Sequence, residues 1–258
     1  MPINLDDRYE SRRITSPGSH FLAGAVALIE EYPDALRPYR LTPSLARTLL
    51  KQKGWNRVVG FHSRNVAHQV HVHLQRTALD LVDADGLLIS PVLGLKKPGD
   101  FLSEPIIESY QALLRTDIYP PNRVLFGGFS SYRRYAGPRE AVFTALCRKN
   151  LGCSHFIVGR DHTGVAEFYG DDAARGLFDA LRDIGVAPVF FEAIAYDSKD
   201  GLYKPSSEAD TPEEISGQAA CAALLAGERL PDWFMHPAVQ DSLAERLAAG
   251  RPLFHHAS

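Results

Sequence analysis

Three segments of the sequence carry polar side chains of the kinds that bind phosphate groups. The first segment is FHSRNVAHQVH at residues 61–71, which follows an apolar stretch and leads into a helical pattern. Arg64 and Asn65 lie in the loop itself. His68 and His71, three positions apart, share one face at the start of the helix. Because a helix N-terminus attracts anions through its N–H groups and macrodipole, the segment predicts a phosphate-binding corner.

The histidine pair is open to two other interpretations. The two side chains could be solvated surface histidines, or they could form half of a metal site. A zinc site would need a third ligand and an acid, and the HExxH pattern is absent. His73 lies off the face that the pair shares, and we expect it to be structural.

The second segment is GCSHFIVGRDHTG at residues 152–164. A buried strand ends at Gly159, and Arg160, Asp161 and His162 follow it without a gap. A tight turn in which the aspartate caps the next element would explain that aspartate, but it would not explain the arginine and the histidine. We therefore expect these side chains to belong to a site.

The third segment is RRYAGPRE at residues 133–140, a basic turn that leads into a helix. Its charges could bind an anion or could belong to a solvated surface, and the segment alone does not distinguish the two.

The elements that carry these segments follow a regular alternation. Short apolar strands are predicted at residues 58–61, 86–89, 124–126, 156–158 and 189–191, and helical patterns lie between them at 68–83, 104–115, 138–150 and 172–184. This alternation predicts an α/β fold with a parallel sheet and helices on both faces. Ligands bind such folds at the carboxyl ends of the strands, where the polar segments lie.

Composition excludes several classes of protein. The 258 residues include 28 Lys and Arg against 31 Asp and Glu, so nothing indicates a nucleic-acid surface. No apolar run approaches the length of a membrane span, and the N-terminus lacks the apolar core of a signal peptide. The three cysteines have neither disulfide-framework nor zinc-site spacing, which predicts a cytoplasmic protein with reduced thiols. The unusual feature is ten histidines, four of them within residues 62–73.

Several motifs resemble those of the ATP sulfurylase (sulfate adenylyltransferase) family. The strings are RYAGPREA at 134–141, RKN at 148–150, HFIVGRDH at 155–162 and KPGD at 97–100, together with the loop at 61–71. The similarity runs from about residue 41 to 245. It implies an N-terminal extension at 1–40, a catalytic domain at 41–212 and a C-terminal helical closing segment at 213–258, without the family's usual N-terminal domain.

The resemblance implies a Rossmann-like nucleotidyltransferase fold of the HxGH type that joins the α-phosphate of ATP to sulfate and releases pyrophosphate. Sulfate carries no proton to remove at neutral pH, so catalysis must come from positioning and charge stabilisation. The implied catalytic residues are Arg64, Asn65, His68, His71 and Arg160. The implied nucleotide-binding residues are His68, His71, Gly159, Asp161, His162, Pro91 and Lys97. The implied acceptor-binding residues are His62, Arg64, Arg160 and Thr163. Mg²⁺ is expected with ATP, no structural zinc is expected, and the chain is expected to form a homo-oligomer.

The sequence departs from the family pattern at positions near the implied acceptor. His62 stands where the family has glutamine, Thr163 where it has alanine, and Ser90 where it has histidine ahead of Pro91. A basic residue is lost at Cys221, and the zinc-binding cysteines of some bacterial members are missing around residues 196–205. Three functions remain open: a compact ATP sulfurylase, nucleotidyl transfer to another oxyanion such as a phosphonate, sulfonate or organic phosphate, and a catalytically silent nucleotide-binding regulator.

Overall fold

Five parallel strands form the central sheet of the computed structural model, which describes residues 24, 25, 27, 35–94, 96–131, 136–159, 170 and 172–255. The strands are β1 (Val58–Phe61), β2 (Gly86–Ile89), β3 (Val124–Phe126), β4 (His155–Val158) and β5 (Ala187–Phe190). Their order across the sheet is β3-β2-β1-β4-β5, and every pairing is parallel. The predicted α/β class and parallel sheet are therefore confirmed.

Helices cover both faces of this sheet. Within the described residues they are α1 (Pro43–Gln52), α2 (Gln69–Leu81), α3 (Ser103–Leu114), α4 (Pro138–Leu151), α5 (Ala173–Ala180), α6 (Gly217–Leu225) and α7 (Pro237–Ala248). Val59 and Phe61 of β1 pack with residues of α2, α3 and α7, whereas Val58 packs with residues of α1. Successive residues of a strand point to opposite faces, so one buried strand serves two cores.

Local capping explains where two of the helices begin and end. α1 begins at Pro43, and Thr42 Oγ1 accepts a hydrogen bond from the Leu45 amide at 3.2 Å. α4 begins at Pro138 and ends at Leu151, and the residue that follows, Gly152, has a left-handed φ of 102° that suits glycine. The sequence predicts both helices from these signals, since a threonine and a proline precede residues 44–50 and the pattern at 138–150 opens with proline and ends before glycine. The structure confirms both predictions.

The last part of the predicted alternation differs from the structure. The pattern predicts a helix at 172–184, but α5 ends at Ala180, and Arg182 then adopts a left-handed φ of 56°. The turn that follows is closed by the Asp183 carboxylate, which accepts a hydrogen bond from the Gly185 amide at 2.6 Å. The strand predicted at 189–191 begins earlier, at Ala187, and includes Pro188. A proline is tolerated there because β5 lies at the edge of the sheet.

A second, antiparallel sheet of three short strands was not predicted. Its strands are β6 (Ile194–Asp197), β7 (Leu202–Pro205) and β8 (Pro212–Glu213), in the order β7-β6-β8. The fully buried Asp197 carboxylate accepts hydrogen bonds from Thr211 Oγ1 at 2.7 Å and the Asp210 amide at 2.9 Å, and pairs with Lys204 Nζ at 2.8 Å. These contacts hold the three strands together.

The C-terminal part of the chain packs on the central domain. The sequence predicts two helices in residues 213–250, joined near Leu230 and Pro231, and α6 and α7 confirm this. Leu243 of α7 is fully buried in the same core as β1 and α3. None of the helices in the described ranges is long and apolar enough to span a bilayer.

Candidate active site

The first polar segment leaves the sheet next to the point where its strand order reverses. β1 ends at Phe61 and β4 ends at Val158, and these two strands are neighbours in the middle of the sheet. In open parallel sheets this reversal creates a crevice at the carboxyl ends of the strands, where ligands bind. Gly159 directly follows β4. Arg160, Asp161, His162 and Thr163, like the basic residues 133–135, lie outside the described residues, so their assignments stay predictions.

The predicted histidine pair forms a stacked unit at the start of α2. His68 is the N-cap residue of that helix and His71 lies in its first turn. Their ring centroids are 3.6 Å apart, and the rings are inclined by 29°. The Tyr110 hydroxyl lies 3.4 Å from His71 Nδ1, and the Phe234 ring stacks on His68 with centroids 5.7 Å apart.

Burial keeps both imidazoles neutral. It lowers the pKa of His68 from 6.5 to about 4. It also holds the pKa of His71 well below its usual value, and the neighbouring His68 lowers it further. Both side chains are half-buried, so they are not fully solvated surface histidines. At neutral pH the pair therefore offers hydrogen-bonding groups rather than positive charge, and His68 Nδ1 is buried with no hydrogen-bond partner.

His68 of the pair borders a cavity of about 850 Å³, here called the main cleft. The first loop contributes Arg64, Asn65 and His68 to its lining, and Lys97 enters from the KPGD loop. His71 does not line the cleft but lies directly behind His68. Four of the predicted site residues are thus brought to one cavity.

Further lining of the main cleft comes from residues that no sequence motif assigns to a site. The second sheet and the closing segment contribute aromatic and acidic side chains, namely Tyr196, Glu213, Glu214, Trp233 and Phe234. The rings of Tyr196 and Trp233 stack almost in parallel, with centroids 5.0 Å apart. These positions are separated along the chain by irregular segments, so no motif spacing connected them.

Hydrogen bonds fix the first loop against the rest of the protein. Ser63 Oγ accepts the Asn65 amide at 3.1 Å, and Ser109 Oγ of α3 accepts the Ala67 amide at 3.0 Å. The Gln69 amide, at the start of α2, donates to the Phe234 carbonyl at 2.9 Å. The closing segment therefore uses one of the helix N-terminal donors that the sequence suggested for anion binding.

A second cavity, of about 370 Å³, lies at the carboxyl ends of β4 and β5. Gly159, Glu192 and Ser206 line it. Arg175 of α5 also lines it, with its guanidinium 4.3 Å from the centre of the Phe190 ring. The residues after β5 had no motif signal in the sequence.

Other predicted positions lie away from both cavities. Pro91 is buried, and its carbonyl accepts the Phe129 amide at 2.8 Å. His62, half-buried just after β1, accepts a hydrogen bond at Nδ1 from Arg148 Nη2 at 2.7 Å. The same Nη2 donates to the Ser90 carbonyl at 2.6 Å. His62 and Ser90, two departures from the family pattern, thus contact the same guanidinium. His73 packs beside Tyr203, with ring centroids 5.4 Å apart.

No metal centre is formed by the described residues alone. Among them, no three His, Cys, Asp or Glu side chains lie close enough together to hold an ion. The carboxylates of Asp100, Glu213 and Glu214 do line the main cleft, and carboxylate oxygens are the protein ligands that Mg²⁺ takes.

A doubly wound parallel sheet, with a cleft beside its switch point that is lined by two cations, three carboxylates and an imidazole, defines an α/β protein of the class that binds nucleotides at the carboxyl ends of its strands. The ATP-sulfurylase family profile matches residues 37–246. Curated sulfate adenylyltransferases are similar: that of Ignicoccus hospitalis is 40% identical over 234 residues, covering 89% of this chain and 60% of the relative. That of Hyperthermus butylicus is 42% identical over 224 residues, covering 85% and 57%.

A third relative, the sulfate adenylyltransferase of Symbiobacterium thermophilum, is 40% identical over 248 residues, covering 93% of this chain and 62% of the relative. The chain belongs to the ATP-sulfurylase family, which confirms the resemblance; it spans about 60% of the length of these relatives. A solved structure described as a hexameric APS kinase from Thiobacillus denitrificans shares the fold, with a TM-score of 0.68 at 21% identity, over 84% of this chain and 41% of that one.

Proposed function

We propose that the chain catalyses the nucleotidyl transfer of its family, from ATP to sulfate. A sulfate oxygen attacks the α-phosphorus of ATP, the bond from that phosphorus to the α–β bridging oxygen breaks, and pyrophosphate leaves. The product is adenosine 5′-phosphosulfate. Family membership and a cleft that carries two cationic side chains beside neutral imidazoles support this proposal.

The chemistry of the site suits this transfer. Both reactants are anions, so the main requirement is to hold them together and to stabilise the charge on the leaving phosphates. Arg64 and Lys97 supply positive charge to the main cleft, and Asn65 supplies an amide. Neutral His68 and His71 would donate or accept hydrogen bonds without the cost of burying a charge.

Magnesium would enter with the nucleotide. When bound, it neutralises charge on the ATP phosphates, and Mg²⁺ at such sites is usually held by one or two carboxylates in addition to the phosphates. Asp100, Glu213 and Glu214 are the carboxylates of the main cleft that could serve. The Asp100 carboxylate also accepts the Lys97 amide at 3.2 Å, which orders the KPGD loop.

The observation that carries the proposal is the convergence of Arg64, Asn65, His68 and Lys97 on one cavity. The test is pyrophosphate release from ATP, CTP, GTP and UTP, each with sulfate and with a panel of phosphonates, sulfonates and organic phosphates. We expect turnover with ATP and sulfate. Turnover with an organic anion but not with sulfate would show that the organic anion is the acceptor. Tight ATP binding without any turnover would favour the regulatory function.

We also infer that the chain works as a homo-oligomer, as the family resemblance implies. Light scattering coupled to size-exclusion chromatography tests this: a mass of one chain at assay concentration would contradict it.

A further inference from the structure

The KPGD loop forms a tight turn in the lining of the main cleft. The Asp100 amide donates to the Lys97 carbonyl at 3.0 Å, with Pro98 and Gly99 between them. Gly99 has a left-handed φ of 84°. A proline followed by a residue of positive φ is typical of a type II turn. Lys97, Gly99 and Asp100 all line the main cleft, so the geometry of this turn shapes part of the wall of the cleft.

A segment that follows α7 supports this turn. Residues 252–255, here called the tail segment, lie after the range that the family profile matches. Phe254 and Phe101 are partners in an antiparallel bridge, and their ring centroids are 4.4 Å apart. Three backbone hydrogen bonds of 2.8 to 2.9 Å join the two stretches of chain: Leu102 N to Leu253 O, His255 N to Asp100 O and Gly99 N to His255 O. The tail segment therefore holds the turn through main-chain contacts.

The tail segment is anchored in the protein core. Leu253 and Phe254 are buried and belong to the core that also contains residues of β1, α3 and α7. The Pro252 carbonyl accepts a hydrogen bond from Arg246 Nε at 2.8 Å. Arg246 also pairs with the Glu108 carboxylate of α3 at 2.9 Å. A displacement of the turn would therefore break contacts that reach into the core.

This support matters for binding because Pro98 and Gly99, at the centre of the turn, are exposed. An exposed loop that must be ordered when its ligand arrives loses affinity, whereas a loop that is already ordered does not. The tail segment also decides what the turn can offer a ligand. Since the Gly99 amide donates to the His255 carbonyl, the turn presents side chains to the main cleft rather than that amide.

We propose that Phe254 is a positioning residue, which holds the turn at 97–100 in its binding conformation and thereby sets the affinity of the main cleft for ATP. Phe254 is not among the residues that line the cleft, so its effect on the ligand must pass through the turn. This role rests on the proposed function, because it takes ATP as the ligand of the main cleft.

Amide hydrogen exchange tests the support without any ligand. The Gly99 and Leu102 amides donate to the tail segment, and the Leu87 amide in the central sheet is the reference. In Phe254→Ala, the first two amides are expected to exchange about tenfold faster relative to the reference, because their acceptors become mobile. In Phe254→Leu, which keeps an apolar side chain against Phe101, the ratio is expected to stay close to that of the wild type. An unchanged ratio in Phe254→Ala overturns the proposal.

Titration calorimetry with ATP and Mg²⁺ tests the consequence for binding. Phe254→Ala is expected to raise the Kd for ATP about fivefold or more, since part of the binding free energy is then used to order the turn. Phe254→Leu is expected to retain most of the affinity. The control is Leu243→Ala, another truncation in the same core, which is expected to leave the Kd unchanged. An unchanged Kd in Phe254→Ala, or an equal rise in Leu243→Ala, overturns the proposal.

A second series changes the turn and leaves the core intact. Gly99→Ala places a methyl group in open space, so its only defect is the positive φ, which asparagine tolerates better than alanine. Gly99→Ala is expected to raise the Kd for ATP about fivefold, and Gly99→Asn is expected to raise it less. Gly54→Ala is the matched control, expected to leave the Kd unchanged, because Gly54 has a φ of 70° and equally open surroundings in the turn before β1. If Phe254→Ala does not fold, an unchanged Kd in Gly99→Ala overturns the proposal.

The two series are also expected to depend on each other. Phe254→Ala and Gly99→Ala act on the same turn, so the double variant should raise the Kd for ATP by less than the product of the two single effects. Single effects that multiply fully overturn the proposal. None of these measurements requires turnover. ATP binding without pyrophosphate release would therefore contradict the proposed function and leave the positioning role of Phe254 intact.

Discussion

The buried histidine pair makes the stability of this protein depend on pH in a predictable direction. The pKa of His68 is about 4 in the folded chain, against 6.5 for an ordinary histidine. Below pH 6.5 the unfolded chain binds a proton that the folded chain does not. The free energy of unfolding therefore decreases as the pH is lowered, until the pH reaches the pKa of the folded chain. The difference between these two pKa values corresponds to a loss of roughly 3 kcal/mol in the free energy of unfolding, at about 1.4 kcal/mol for each pH unit. His71 adds a loss in the same direction.

The assay is urea denaturation of the wild type and of His68→Gln at a series of pH values between about 7 and 4. Carboxylates titrate in both proteins, so the difference between the two curves isolates the imidazole. We expect the free energy of unfolding of the wild type to fall by roughly 3 kcal/mol more than that of the variant over this range. Parallel curves would refute the conclusion that His68 is buried and neutral.

Three further predictions concern the core, the second sheet and the main cleft. Leu243→Ala is expected to cost about 3 kcal/mol in urea denaturation, because it opens a cavity in the core beneath α7; a loss below about 1 kcal/mol would contradict this packing. Asp197→Asn is expected to lower the Tm, and the difference from wild type should shrink as pH falls below 3.8, because hydrogen bonds and Lys204 hold the pKa of this carboxyl far below that value in the folded chain. A constant difference in acid would refute that role. Lys97→Met is expected to raise the KM for ATP about tenfold with little change in Tm; an unchanged KM would remove this residue from the nucleotide site.

Periodicity and capping chemistry made most of the central domain predictable. Apolar runs of the right length identified β1 through β4 within a residue, and Thr42, Pro43, Pro138 and Gly152 marked helix ends. These signals are local, because they depend on backbone conformation and on which face of an element is apolar. β5 was less predictable, since its proline is tolerated only by the edge position that the strand takes in the sheet.

The second sheet gave no usable signal. Its strands are four, four and two residues long, and they depend on one buried carboxylate, Asp197, whose partners come from β7 and from the turn before β8. Such short strands are stable only when the long-range contacts are formed, so neither propensity nor alternation identifies them.

The sequence by itself determined the order of strands and helices, the family motifs and the types of side chain at the strand ends. Only the tertiary structure decided which of them meet. Burial makes His68 and His71 a neutral stacked pair, and the closing segment supplies Trp233 and Phe234 to a cleft that begins at Arg64. The protonation state of the histidines and the lining of the main cleft both depend on residues that are far apart in the chain. No local sequence pattern encodes the distances between such residues in the folded protein.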